Sequence, residues 1–130
     1  MITALYASLC ALWIVRLSLQ VIKLRRQHRV SIGDDGHPDL QTAIRVQGNA
    51  TEYIPITLIL MIILEWSGAP WWLIHIAGIA LLTGRFIHAT ALQRNDGERR
   101  VLGMKITFYL IMALSALNIF YLIAGYFFAD

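Results

Sequence analysis

The sequence predicts an all-α membrane protein: a bundle of four transmembrane helices forming one domain over residues 1–130. Three observations predict it. The chain is 58% hydrophobic and only 15% charged, whereas soluble domains carry about 25% charged residues. The apolar residues gather in four runs of about 20 residues, Ile2–Ile22, Ala43–Leu64, Trp71–Leu92 and Ile106–Phe128. Each run is long enough to cross a hydrocarbon core of ~30 Å at ~1.5 Å rise per residue. Finally, all eleven Lys and Arg lie in or near two of the three connections, or in the helix halves that lead into them.

The first run reads as a spanning helix and not as a cleavable signal peptide. No basic stretch precedes it, and Lys23, Arg25, Arg26 and Arg29 follow it. Cys10, the single cysteine, lies inside it. It has no intrachain partner and is expected to act as a small buried hydrophobe. The connection Lys23–Leu40 is dense in turn residues from Ser31 to Asp39. It is expected to be a solvated loop folded partly over the helix ends, with His28 and His37 in it and Asp39 capping the second helix. In the second run Pro55 removes a hydrogen bond to the Thr51 carbonyl and predicts a kink.

The link Glu65–Trp72 carries no Lys or Arg. Its Trp66, Trp71 and Trp72 suit an interfacial aromatic belt. In the third run Arg85 and His88 lie three residues apart on one face, and His75 sits in the other half. A turn at Asn95–Gly97 precedes the fourth run, with Arg99, Arg100 and Lys105 at its entry. The positive-inside rule places the two basic connections in the cytoplasm and both termini on the opposite side. The net charge of +3 thus reports topology. A nucleic-acid partner is not expected, because the basic residues flank membrane spans without interleaved stacking aromatics. No metal-ligand spacing, glycine-rich phosphate loop or catalytic-triad order is present.

The most informative stretch is Arg45–Val–Gln47–Gly–Asn49–Ala–Thr–Glu52–Tyr53–Ile–Pro55. Spacings of four and three place Arg45, Asn49 and Glu52 on one helix face, within ~60° of arc. A charged side chain at the centre of a membrane helix costs roughly 2.5–3.5 kcal/mol on insertion scales. Such groups persist where they meet a partner, a cavity or a ligand. Counted from Leu64, Glu52 is ~18 Å deep at ~1.5 Å per residue, in the cytoplasmic half. Arg16, Gln20 and Lys23 share a face at that same end of the first helix. The set points to a pocket open to the cytoplasm for a polar anion that carries its own ammonium or amide groups. Two plainer readings stand beside it: Arg85 snorkelling to the interface, and an ion pair internal to the bundle at Arg45–Asn49–Glu52.

The Arg45–Pro55 motif and Gly84–Arg85–Phe–Ile–His88 resemble the signatures of the MAPEG family, the membrane-associated proteins in eicosanoid and glutathione metabolism. The likeness extends over the whole chain and is nearest to small bacterial inner-membrane members. It implies a homotrimer of four-helix subunits in the bacterial inner membrane, with periplasmic termini. It also implies glutathione as co-substrate, bound between subunits at a cytoplasmic mouth. Carried over by position, the glutathione contacts fall on Arg45, Gln47, Asn49, Glu52, Tyr53 and His88. The thiolate-stabilising catalytic arginine falls on Arg99, with Arg100 adjacent. Leu92 and Gly48 depart from the pattern, standing where eicosanoid-synthase branches have Tyr and Arg.

Under that resemblance Arg45 and Arg85 would pair with the two glutathione carboxylates, Glu52 with the ammonium and Asn49 with a peptide amide. A guanidinium beside sulfur lowers a thiol pKa from its free value of ~8.5 and raises the thiolate fraction. The implied activity is transfer of glutathione to an apolar electrophile, or reduction of a lipid hydroperoxide. The alternatives are a non-catalytic relative that binds glutathione or lipid, and a small transporter. The transporter would want its acid nearer the bilayer midplane, without Arg45 and Asn49 on the same face.

Overall fold

Long apolar runs with few breakers should persist as helices beyond the lipid wherever the flanking residues favour helix. The computed structural model describes residues 1–128 and shows this at three of the helix ends. The helices are α1 (Thr3–His28), α2 (Pro38–Trp66), α3 (Trp71–Gln93) and α4 (Gly97–Phe128). All four are long and apolar enough to cross a membrane.

Three boundaries differ from the apolar runs. α1 continues through the basic residues to His28 and stops at Arg29, whose left-handed backbone (φ 57°) closes it. α2 begins at Pro38, with His37 as N-cap and Asp39 inside the first turn, not capping it. Proline suits that first position because its missing N–H would be unpaired there in any case. α4 begins at Gly97, about two turns before the lysine that precedes its apolar run. Charged residues such as Glu98, Arg99 and Arg100 are good helix formers, so the apolar run marks the lipid boundary and not the helix end. The first connection therefore shrinks to nine residues, Arg29–His37. His28 and His37 bracket it with rings stacked 3.9 Å apart, and His28 Nε2 lies 2.9 Å from Asp39 Oδ2. α2 runs unbroken through Pro55.

α2 and α3 each pack against all three other helices, and the backbones of α1 and α4 do not approach each other closely. The core follows from this. Tyr6, Cys10 and Leu17 of α1 meet Val46, Ile54 and Met61 of α2, Ile74 and Leu81 of α3, and Leu114 of α4. The outward faces of α1 and α4 expose Leu5, Leu12 and Leu19, and Phe108, Phe120 and Leu122. So large an apolar surface suits lipid, not water. Trp66, Trp71 and Trp72 are exposed together around the α2–α3 link, where an aromatic belt sits at a membrane interface.

The end of the bundle near that link is fastened by polar contacts. Glu65, in the last turn of α2, accepts hydrogen bonds from the Ile2 N–H, the Thr3 N–H (2.8 Å) and the Thr3 hydroxyl (2.5 Å). It thus supplies from another helix the acceptors that the first turn of α1 lacks, and its charge opposes the positive end of the α1 dipole. Nearby, the Tyr6 hydroxyl lies 2.7 Å from His75 Nδ1. The Tyr6 ring lies so close over Gly78 that a β-carbon there would fall inside it.

Glu65→Ala is expected to lower stability by about 2 kcal/mol, the upper range for a lost cap. Denaturant unfolding in detergent micelles checks this. An unchanged midpoint would show that α1 needs no such cap.

Candidate functional site

α2, α3 and α4 converge on one buried guanidinium. Arg85 of α3 is 3% exposed. Its Nη1 donates to Asn49 Oδ1 on α2, and its Nη2 donates to Thr107 Oγ1 on α4 at 2.7 Å and to Met104 Sδ at 3.4 Å. Its Cζ stands 5.7 Å from the centre of the Tyr53 ring, a cation–π distance. That ring packs edge-on to Phe108 at 5.5 Å. Arg85 therefore does not snorkel. Its charge is met by an amide oxygen, a hydroxyl and an aromatic face, and no carboxylate pairs with it among the described residues. Its Nε is buried without an acceptor.

Local sequence explains how the three helices come so near. Gly84 precedes the arginine, and Gly103 faces it from α4. A β-carbon on Gly103 would lie 2.8 Å from the His88 backbone N and 2.9 Å from the Gly84 carbonyl oxygen. Small residues at a helix crossing let backbones approach in just this way. Thr107 lies four residues beyond Gly103, on the same face, and returns its hydroxyl to the Gly103 carbonyl at 3.1 Å. His88, one turn along α3 from Arg85, is buried against Gly103.

Outside this buried core lies an exposed polar edge. Arg45 Nη1 is 3.7 Å from Glu52 Oε1, and both side chains are more than half exposed. The ion pair expected as a plain reading is present, but within α2 and on its surface. Asn49, between them in sequence, is turned inward and held by Arg85. Gln47 is elsewhere: its Nε2 donates to Ser18 Oγ on α1 at 3.4 Å. Arg99 joins neither group. Asp96 accepts the Arg99 N–H at 3.2 Å, capping α4, and its carboxylate lies 3.8 Å from Arg99 Nε at the surface. Arg100 instead lines a small cavity of about 160 Å³ with Leu92, Asn95 and Asp96. The structure thus brings together Arg45, Asn49, Glu52, Tyr53 and Arg85, packs His88 beside them, and leaves Gln47 and Arg99 apart within one subunit.

Thr107, Met104 and Gly103 were not singled out by sequence. A glycine four residues before a threonine on an apolar helix was the available signal. It identifies a close crossing only once a partner such as Gly84 is known.

The comparisons with known proteins agree with this architecture. The MAPEG family profile matches residues 3–120. This chain belongs to the MAPEG family. It is 43% identical over 122 residues to inner membrane protein YecN of Escherichia coli strain K12, an alignment covering 94% of this chain and 93% of that protein. The YecN protein of an Escherichia coli O6:H1 strain matches equally well. The matched span of this MAPEG chain includes both the Arg45–Pro55 segment and the Gly84–His88 segment. In this MAPEG chain the two motifs are joined physically by the Arg85–Asn49 hydrogen bond.

Two outcomes follow. Asn49→Leu should cost about 2 kcal/mol, the worth of a hydrogen bond to a charged group. Its effect should shrink in an Arg85→Met background, because the two residues share one contact. Strictly additive losses in denaturant unfolding would dissolve the pairing. Gly103→Ala should cost about 2 kcal/mol by overpacking, while Gly125→Ala, where a β-carbon meets nothing, should be neutral or slightly stabilising.

Proposed function

We propose that this protein is a glutathione-dependent transferase or peroxidase of the bacterial inner membrane, working as a homotrimer. In this reading the two basic connections face the cytoplasm and both termini the periplasm. One observation carries it: the exposed Arg45–Glu52 pair stands on α2 beside Asn49 and Tyr53, over an arginine buried without a carboxylate. An excess of cationic groups with one carboxylate beside it complements a ligand bearing two carboxylates and one ammonium, as glutathione does. Arg45 would take a carboxylate and Glu52 the ammonium. Arg85 would act chiefly from below, fixing Asn49 and adding its unneutralised charge. Gln47, His88 and Tyr53 complete the proposed contacts.

The exposed polar edge also supports assembly. Charged side chains on the outside of a membrane helix are costly against lipid, and a second subunit laid over α2 removes them from it. Such a neighbour is also what would unite groups that stand apart in one subunit, Gln47 and Arg99 among them. Arg99 is the proposed thiolate stabiliser, freed from Asp96 when the sulfur arrives, with Arg100 next to it. An apolar electrophile or lipid hydroperoxide would enter from the bilayer.

A second reading is a relative that binds glutathione without turning it over. The surface engagement of Arg99 by Asp96 favours it, as do Leu92 and Gly48 in place of family Tyr and Arg. The experiment that separates the two is ultraviolet thiolate absorbance on mixing glutathione with detergent-solubilised protein. Wild type should show the thiolate band. Arg99→Ala should lose it while still binding glutathione, and Arg45→Ala should weaken binding about tenfold, one charge-assisted hydrogen bond. Glutathione binding with no band in wild type would establish the non-catalytic reading. No binding at millimolar glutathione would defeat both.

A further inference from the structure

A groove runs along the side of α3 that faces α1. Its upper chamber, about 680 Å³, is lined by Trp13, Arg16 and Gln20 of α1, Asp39 and Thr42 of α2, and Phe86, Thr90 and Gln93 of α3, with apolar neighbours. Its lower chamber, about 430 Å³, is lined mainly by apolar residues such as Leu9, Cys10, Ile54, Leu82 and Ile87, with Thr83 and Arg85 as its polar members. Trp13 and Phe86 line both chambers, and their rings are 5.8 Å apart. The two chambers adjoin at this ring pair, as a trough with more polar lining in its upper part and more apolar lining in its lower part.

We propose that this trough binds one aminophospholipid, with its zwitterionic head in the upper chamber and one acyl chain in the lower. The trough length fits. Leu9 and Gln20 are eleven residues apart on α1, ~16 Å at ~1.5 Å per residue, which is about half of a ~30 Å hydrocarbon core. That is the depth of one leaflet. The composition fits as well: the apolar end lies toward the middle of the helices, and the polar end lies where α1 passes into its basic segment.

Charge selects the head. The mouth carries one cation, Arg16, and one anion, Asp39. Arg16 has no carboxylate partner among the described residues and rests with its Cζ 5.8 Å from the Trp13 ring centre. A phosphate fits Arg16, with Gln20 and Gln93 as further donors. A primary ammonium fits Asp39, which is half exposed and already engages His28 Nε2 at 2.9 Å, so the ammonium would share or replace that contact. A purely anionic head would satisfy Arg16 and meet Asp39 as a like charge. Trp13 Nε1, on the ring that lines both chambers, is buried with no acceptor among the described residues. Arg85 lines the lower chamber and also stands under the proposed glutathione pocket, so the two sites adjoin there, but lipid binding does not depend on glutathione.

Native mass spectrometry of the delipidated full-length protein, titrated with phosphatidylethanolamine or phosphatidylglycerol, tests the proposal. Wild type should prefer phosphatidylethanolamine by about tenfold, the worth of one charge-assisted contact. Arg16→Gln should weaken binding of both lipids. Asp39→Asn should erase the preference. Leu9→Trp, at a partly exposed position in the lower chamber, should block both while circular dichroism stays unchanged. Equal uptake of the two lipids by wild type, a preference that survives Arg16→Gln and Asp39→Asn, or undiminished binding by folded Leu9→Trp would each overturn it.

Discussion

The hydrogen bonds of Arg85 to Asn49 and Thr107 are the constraint around which the rest of this subunit is arranged. Among the described residues they tie three helices through one side-chain group. A guanidinium removed from water loses several kcal/mol of solvation, and its presence here is tolerable only because acceptors from both sides reach it. Reaching it requires α3 and α4 to cross closely, which Gly84 and Gly103 allow. It also requires Asn49 to face inward while Arg45 and Glu52, on the same broad face of α2, stay outside. The geometry of the polar edge is thus a by-product of satisfying one buried charge.

Helix number and order were legible from apolar run length alone, because membrane thickness imposes a minimum span. Helix ends were not. Residues 23–28 and 97–105 are rich in charge and lie outside the apolar runs, yet remain helical, since backbone hydrogen bonding has no reason to stop at the lipid boundary. The polar face of α2 was legible from spacing. What spacing did not resolve was that its members divide between two environments. Asn49 and Arg45 differ by a small rotation about the helix, and a neighbour on α3 decides which of them is inside. Gln47 was grouped with them by family position, whereas within one subunit its side chain reaches α1. Arg99 was placed by counting from Arg85, and the capping interaction of Asp96 that fixes it at the surface involves a residue with no role in that count.

The two sides of α3 divide the subunit's polar chemistry. One side, with α2 and α4, is tightly packed around Arg85 and opens only at its outer edge. The other, with α1, is loosely packed and keeps a trough. The looseness follows from topology: α1 is seated mainly on α2, touches α3 lightly, and its backbone does not approach that of α4 closely. A helix with so few neighbours keeps space along its flank without cavities in a close-packed core, where each missing contact would be costly.

The fastening of α1 by Glu65 bears on how the protein is made. The chain emerges from the ribosome amino end first, and the acceptor for the Thr3 N–H lies 62 residues downstream. Until α2 has been synthesised and has crossed the bilayer in the reverse direction, the first turn of α1 has no such acceptor. The smallest insertion unit with its ends satisfied is therefore the α1–α2 hairpin.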